Sequence, residues 1–389
     1  MDIRNVEHEG EQAIQRQARE GGPGWGSPMF GPEIPHGFVP FIRDQRMLVI
    51  AGADDEGAIW ATAVDGPTGF AEAVDERTVV IDALPAPGDP LRQAFRTERD
   101  IGVLALQPQT RRRIRLNGVG RRDGNRLVIR TEQVLGNCPK YLQTRTVKET
   151  VPGGAGPAVT GEELSEDQRR WIEGADTFFI ASLSSEHGAD SSHRGGMPGF
   201  VTVADPRKIV WPDYTGNQFY MTLGNMHLDP AVGLLFLDWE SGHTLQLTGQ
   251  GRIDWDPARA QKYPGALRVV EFDIAKVVQI DHASSLRWEF HTYSRFNPPA
   301  RDDRPTEPSE VRPAAAVTSV RPAPEAMPPA GPPGLVEGRG SVDCPRAESP
   351  PAARAVPSVC EEAVGPRGPG TAIGIRHQGA DLAGHQRAP

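Results

Sequence analysis

The sequence predicts a mainly β protein with a few short helices: two tandem copies of one small barrel, followed by a tail without a fold. Three observations predict it: an internal repeat, a series of short β-branched runs, and a sharp change of composition near residue 297.

The repeat comes first, because it decides how many folds need explaining. Ile50 and Ala51 lie 130 residues before Ile180 and Ala181, and at the same offset Gly66, Gly69, Phe70 and Val80 meet Gly196, Gly199, Phe200 and Val210. One residue further, Gly102, Leu104, Gly118 and Gly120 meet Gly233, Leu235, Gly249 and Gly251. A register held from residue 50 to residue 120 with a single one-residue insertion marks two copies of one domain.

Each copy reads as β-rich. Arg77–Asp82, Ile101–Leu106 and Leu127–Arg130 have strand length and β-branched content, as do Gly199–Val203, Gly233–Leu237 and Gly251–Trp255 in the second copy. Thr244–Thr248 alternates polar and apolar, as a strand with one wet face does. Ser165-Glu-Asp-Gln168 is a capping box that opens a helix over Glu166–Glu173, with Trp171 and Ile172 on its buried side. Many short strands with few helices favour a closed or partly closed barrel over a doubly wound sheet. The domain reading is 1–35 as an N-terminal extension with a helix, 36–150 as the first barrel, 151–160 as a Pro/Gly linker, and 161–297 as the second barrel.

After Phe296 there is no aromatic residue, and nearly half of the 37 prolines fall in 298–389. Such a segment buries too little apolar surface to offset the entropy of ordering it. It is expected to be either a disordered tail or the product of out-of-frame translation of a GC-rich gene. A net charge of −9 argues against a general nucleic-acid binder, though not against one local basic pocket. The three cysteines form no CxxC pair, and no run is long and apolar enough to span a membrane. A cytoplasmic protein is the expectation.

The stretch Asp190-Ser-Ser-His-Arg-Gly-Gly-Met-Pro-Gly-Phe-Val201 reads as a polar loop running into a basic side chain and then into glycines. One Arg, hydroxyls and exposed backbone N–H groups can hold a phosphate; the plain alternative is a tight turn with Arg194 solvated. Pro212-Asp-Tyr-Thr-Gly-Asn217, and then Leu223-Gly-Asn225, supply amides suited to a heterocycle edge or a phosphate tail, or simply to turns. Asn225 is expected to open a short helix or turn.

In combination, S-x-R-G-G-x-P-G-F-V-x-V, Y-x-G-N, L-x-N and D-P-x-V-G-L-L-F-x-D-W resemble the pyridoxamine 5′-phosphate oxidase-like, FMN-binding split-barrel family. The first copy resembles it through Arg113-Ile-Arg-Leu-Asn-Gly118 and Gly136–Gln143, so the resemblance covers about residues 36–295. It implies two tandem six-stranded split barrels with FMN in the groove between paired barrels. Carried across, it makes Ser192 and Arg194 phosphate contacts, sets Gly195, Gly196, Met197 and Pro198 near the isoalloxazine edge, and puts Tyr214, Gly216, Asn217 and Asn225 along the ribityl chain and phosphate. The first copy departs from the pattern: Arg194 corresponds to Val64, Ser192 to Thr62, and Gly216 and Asn217 to Ala86 and Pro87. Its own site is therefore expected to be degenerate, with Lys140 and Tyr141 supplying a wall to the other.

The remaining candidates have plainer readings. His187 and His193 suggest no metal without further ligands, Cys138 is a packing residue, and the basic run from Arg111 to Arg115 is a solvated face or a set of salt-bridge partners. Trp211, Trp239, Trp255 and Trp288 are core and interface anchors. Together these readings point to an FMN-binding oxidoreductase-type protein acting on a small-molecule redox substrate. NAD(P)H is a candidate donor, the barrels pair as a homodimer or an intrachain pseudo-dimer, and no catalytic side chain is identifiable. A non-catalytic binder of flavin, deazaflavin or haem, and a structural barrel with a vestigial site, are the alternatives.

Overall fold

The structure is a computed structural model and describes residues 8–21, 31–136 and 138–299. The expected tail, beyond Pro298 and Pro299, lies outside the described residues.

Two helices precede the first sheet, α1 (Glu9–Ala18) and α2 (Val39–Arg43). The sheet contains β1 (Met47–Ala53), β2 (Ile59–Asp65), β3 (Ala71–Asp75), β4 (Thr78–Ile81), β5 (Arg99–Gln107), β6 (Arg112–Asp123) and β7 (Arg126–Gly136). Next come β8 (Thr144–Thr150), β9 (Ala158–Gly161) and α3 (Glu166–Gly174). The second sheet contains β10 (Thr177–Ser184), β11 (Gly188–Gly195), β12 (Thr202–Asp205), β13 (Lys208–Asp213), β14 (Ala231–Leu237), β15 (Thr244–Asp254) and β16 (Arg268–Ile280). Helices α4 (Met221–Leu228) and α5 (Pro257–Ala260) interrupt it, and β17 (Leu286–Thr292) closes the chain.

The first sheet runs β2-β1-β5-β6-β7-β4-β3 and the second β11-β10-β14-β15-β16-β13-β12, with β9 added on β16. The order is the same strand for strand, and both sheets bulge at the same place, Asn117/Gly118 and Thr248/Gly249. Each path holds seven strands where the resemblance implies six; β3 and β12, each paired only with its hairpin partner, end the paths. Strands β8 and β17 form a separate antiparallel ribbon in which Thr150 meets Leu286 and Thr144 meets Thr292.

The apolar runs of β1 and β10 show little polar alternation because both of their faces are buried. Leu48 and Ile50 point into the first barrel with Trp60, Val103, Leu116 and Ile129, and Phe178 and Ile180 point into the second with Trp211, Leu234 and Phe272. The intervening residues, Met47, Val49 and Ala51 against Phe179 and Ala181, meet in a third core shared by both barrels with Leu235, Leu237 and Trp288. Each large side chain there, such as Met47, Val49, Phe179, Leu235 and Leu237, contributes roughly 1.5–3 kcal/mol by leaving water, so the shared core holds the barrels as one unit.

The paired glycines of the repeat sit at this contact. A Cβ on Gly102 would lie 2.7 Å from the Ser191 amide nitrogen, and one on Gly233 would lie 2.5 Å from the Ile59 carbonyl oxygen. Only glycine lets the two backbones approach this closely.

Helix α3 has the expected capping box, Ser165 with Gln168, and buries Ile172. Helix α4 already begins at Met221, so Asn225 lies inside it instead of opening it. Among the described residues no helix is long and apolar enough to cross a membrane.

Candidate functional site

Between the barrels lies a cleft that opens toward solvent. Strand β11 and the 212–223 segment of the second barrel form one side. Strand β6 and the Cys138–Tyr141 segment of the first form the other.

The polar stretch read as a loop is strand β11, buried over most of its length. It escapes the usual alternation because one face packs on the other barrel, where polar groups are satisfied by polar groups. Arg115, from β6, donates to Asp190 Oδ1 and Oδ2 at 3.0 and 3.1 Å and to Ser192 Oγ at 2.8 Å. Arg194 donates to the same Ser192 oxygen at 2.9 Å. Asn117 and Thr222 complete the shell of Asp190. Two guanidinium groups from different barrels therefore converge on one hydroxyl, and only one of them has a carboxylate partner there.

Arg113, two residues from Arg115 on the same face of β6, also lines the cleft. It is 8% exposed, and its Nε has no hydrogen-bond partner among the described residues. Burial lowers its pKa to about 9, which still leaves it charged at neutral pH. Burial also lowers the Arg194 pKa. Lys140 adds a further cation, its Nζ 5.7 Å from the Phe296 ring centre. Among the described residues the one carboxylate on the walls is Asp213, which burial pushes upward while Arg268 and then Arg194 pull it down; its ion pair is with Arg268, at 3.3 Å. The cleft thus holds an excess of buried positive charge.

His193 lines the cleft as well. Burial drives its pKa well below the usual imidazole value, helped by Arg113, Arg194 and Arg145, so the ring is neutral. Tyr141 and Tyr214 close one end with ring centres 5.2 Å apart, and the Tyr141 hydroxyl donates to the Thr215 carbonyl at 2.9 Å. Burial raises the Tyr141 pKa to about 12, so it remains a donor. Tyr141, Gln218 and Tyr220 all have φ near +60°, a strained conformation for residues with a side chain. At Gly195 the Tyr141 carbonyl comes so close that a Cβ would lie 2.1 Å from it.

The structure brings Ser192, Arg194, Gly195, Tyr214, Gly216, Asn217 and Lys140 onto the walls of this cleft. Gly196, Met197, Pro198 and Asn225 are not on them. The Gly196 N–H is used by the Asp176 carbonyl and its oxygen accepts from Gln143. Met197 Sδ lies 3.7 Å from Asn297 Nδ2. Asn225 is buried on the other side of α4, bonded to His8 at 2.8 Å and to Ser182 at 3.2 Å.

The reading of the Arg111–Arg115 run as solvated is corrected for Arg113 and Arg115, which are buried between the barrels; the salt-bridge reading holds for Arg115. Their alternation with Ile114 and Leu116, both in the first core, is the signal that marks one polar strand face. Cys138, read as a packing residue, also reaches the cleft.

Residues 164–281, most of the second barrel, match the family model described as pyridoxamine 5′-phosphate oxidase. No curated protein matches the chain. Solved structures that align include a protein assigned as a pyridoxamine 5′-phosphate oxidase from Lactobacillus delbrueckii, at 20% identity over 30% of this chain and 94% of that one, TM-score 0.26. A Clostridium acetobutylicum protein related to general stress protein 26, of the pyridoxinephosphate oxidase family, aligns at 11% identity over 32% and 92%, TM-score 0.25. An FMN-binding protein from Syntrophomonas wolfei aligns at 9% identity over 29% and 84%, TM-score 0.23.

Proposed function

We propose that the second barrel's match to this family extends to its ligand: the cleft binds FMN, one per chain, in an oxidoreductase-type protein acting on a small-molecule substrate. The observation that carries this is the convergence of Arg115 and Arg194 on Ser192 Oγ, beside the buried Arg113 with its unpartnered Nε. Buried cations without matching carboxylates favour an external anion, and a phosphate offers several acceptor oxygens to planar guanidinium forks.

The residues present fit the group. Arg113, Arg194, Ser192 and Lys140 would hold the phosphate. Asn217, Tyr214 and Tyr141 would flank the chain and ring, and neutral His193 leaves the site's charge unchanged. Bound FMN would supply the redox chemistry, with the protein positioning it and excluding water.

The test is an FMN titration followed by flavin fluorescence, wild type beside Arg194→Ala. Losing a desolvated charge-assisted contact is expected to weaken binding by about 1.5–3 kcal/mol, or one to two decades in Kd. Bleaching of the bound flavin by NADH or NADPH then separates an enzyme from a flavin store. No binding of FMN by the wild type would overturn the proposal.

A further inference from the structure

Helix α1 packs along α4, with Ile14 fully buried. At its first turn, Glu9 meets Glu186 and His187 of the turn between β10 and β11. One ligand atom from each of the three lies within 4.8 Å of the other two. His187 is 7% exposed, yet among the described residues neither of its ring nitrogens has a hydrogen-bond partner. Buried polar atoms normally find partners, and an imidazole nitrogen without one, facing two carboxylates, is a metal ligand in waiting.

The ring is held in place. His8 stacks on it with centroids 3.8 Å apart and planes 18° from parallel. Both nitrogens of His8 are already used, Nδ1 accepting from the Glu11 N–H and Nε2 bonded to Asn225 Oδ1. The turn itself is fixed by the His187 N–H on Ser184 Oγ and by Gln133 of the first barrel donating to the His187 carbonyl.

We infer that Glu9, Glu186 and His187 bind a first-row divalent transition cation, with water completing its shell, and that this ion clamps the N-terminal helix to the turn that begins β11. An imidazole with two carboxylates suits Zn²⁺ and its neighbours, whereas Mg²⁺ and Ca²⁺ take oxygen alone. Acids in a first helical turn are ordinary complements to the helix dipole. That explains Glu9 but neither Glu186 nor the two unused nitrogens of His187. The dipole opposes a cation at this end, and two full carboxylate charges exceed its half charge. Both glutamates are exposed and free to close on an ion. The clamp would reach the cleft, because β11 carries Ser192 and Arg194 and α4 carries Met221, Thr222 and Leu223 of its wall.

The test uses the full chain, stripped with a chelator and titrated with Zn²⁺, with Mg²⁺ run alongside and no flavin present. Bound metal is read by competition with a chromogenic chelator. One Zn²⁺ per chain is expected, held at least about tenfold more weakly in Glu9→Gln and in Glu186→Gln. Both substitutions exchange exposed carboxylates for amides of the same shape, so folding is not at stake. In a second readout, amide exchange over residues 9–18 slows on adding Zn²⁺ to the wild type and not to Glu9→Gln. Absence of Zn²⁺ binding, binding unchanged by both substitutions, or Mg²⁺ held as firmly as Zn²⁺ would overturn the assignment.

Discussion

The repeat gives the contact between the barrels two equivalent slots, and the two are filled differently. On the cleft side, Ser192 of β11 meets Arg115 of β6, with Arg194 and Arg113 beside them. At the equivalent positions on the other side stand Thr62 of β2, Gln246 of β15, Val64 and Thr244. There a carboxylate of the chain occupies the slot. Thr62 Oγ1 and Gln246 Nε2 both donate to Asp89 Oδ2, the latter at 3.0 Å, and the Leu91 N–H donates to Oδ1 at 2.8 Å. The same strand geometry thus yields a cation-rich cleft calling for an outside anion, and a counterpart already closed by an inside one. That difference underlies the proposal of one ligand per chain.

The comparison can be broken most forcefully at Arg115. Arg115→Ala leaves Asp190 buried beside polar neighbours but without its charge partner, and a loss of about 3–5 kcal/mol is expected. Gln246→Ala removes only a neutral donor, for an expected loss of about 1–3 kcal/mol. Urea denaturation of the two variants would reveal the asymmetry, and equal losses would count against it.

Asp89 gives the next effect. Burial raises its pKa to about 6, against the pull of Thr62, the Leu91 N–H, Gln246 and Arg92. A raised folded-state value means that the folded protein holds the proton more tightly than the unfolded chain. The contribution is therefore fully present below the unfolded pKa of about 4 and is lost as pH rises through about 6. Across that window the wild type should lose on the order of 2–3 kcal/mol relative to Asp89→Asn, measured by paired urea melts at pH 4 and pH 7.5. A flat difference would mean that Asp89 is not the buried anion described.

The smallest effect sharpens the comparison by its symmetry. Gly102→Ala and Gly233→Ala each force a methyl group against the opposite barrel's backbone, and each should cost about 1–3 kcal/mol. Thermal melts should place the two variants together, because the backbone contact is symmetric even though the slot chemistry is not.

Much of this architecture is legible in the sequence. The offsets of 130 and 131 pair β1–β6 with β10–β15 and match the β6 and β15 bulges, but they miss β7 and β16, which the inserted α5 sets further apart along the chain; the capping box locates α3. The cleft is legible in half. Ser192, Arg194, Tyr214, Gly216 and Asn217 come from one continuous region whose residue types suit a phosphate, whereas Arg113 and Arg115 come from the other barrel. Nothing in an R-x-R alternation says whether the polar face meets water or a second sheet. Strand β11 resembles a loop because its polar residues are buried against that sheet. Asn225 lies off the cleft because helix α4 turns it toward His8, in a segment 217 residues away along the chain. Such pairings are tertiary, and local pattern does not carry them.

One ligand per chain requires that one slot take an external anion while its counterpart does not. The most direct measurement is the stoichiometry and affinity of FMN by equilibrium dialysis for the wild type, Ser192→Ala and Thr62→Ala. One FMN per chain is expected, its binding weakened by Ser192→Ala and unaffected by Thr62→Ala. Two FMN per chain, or equal weakening by both substitutions, would contradict it.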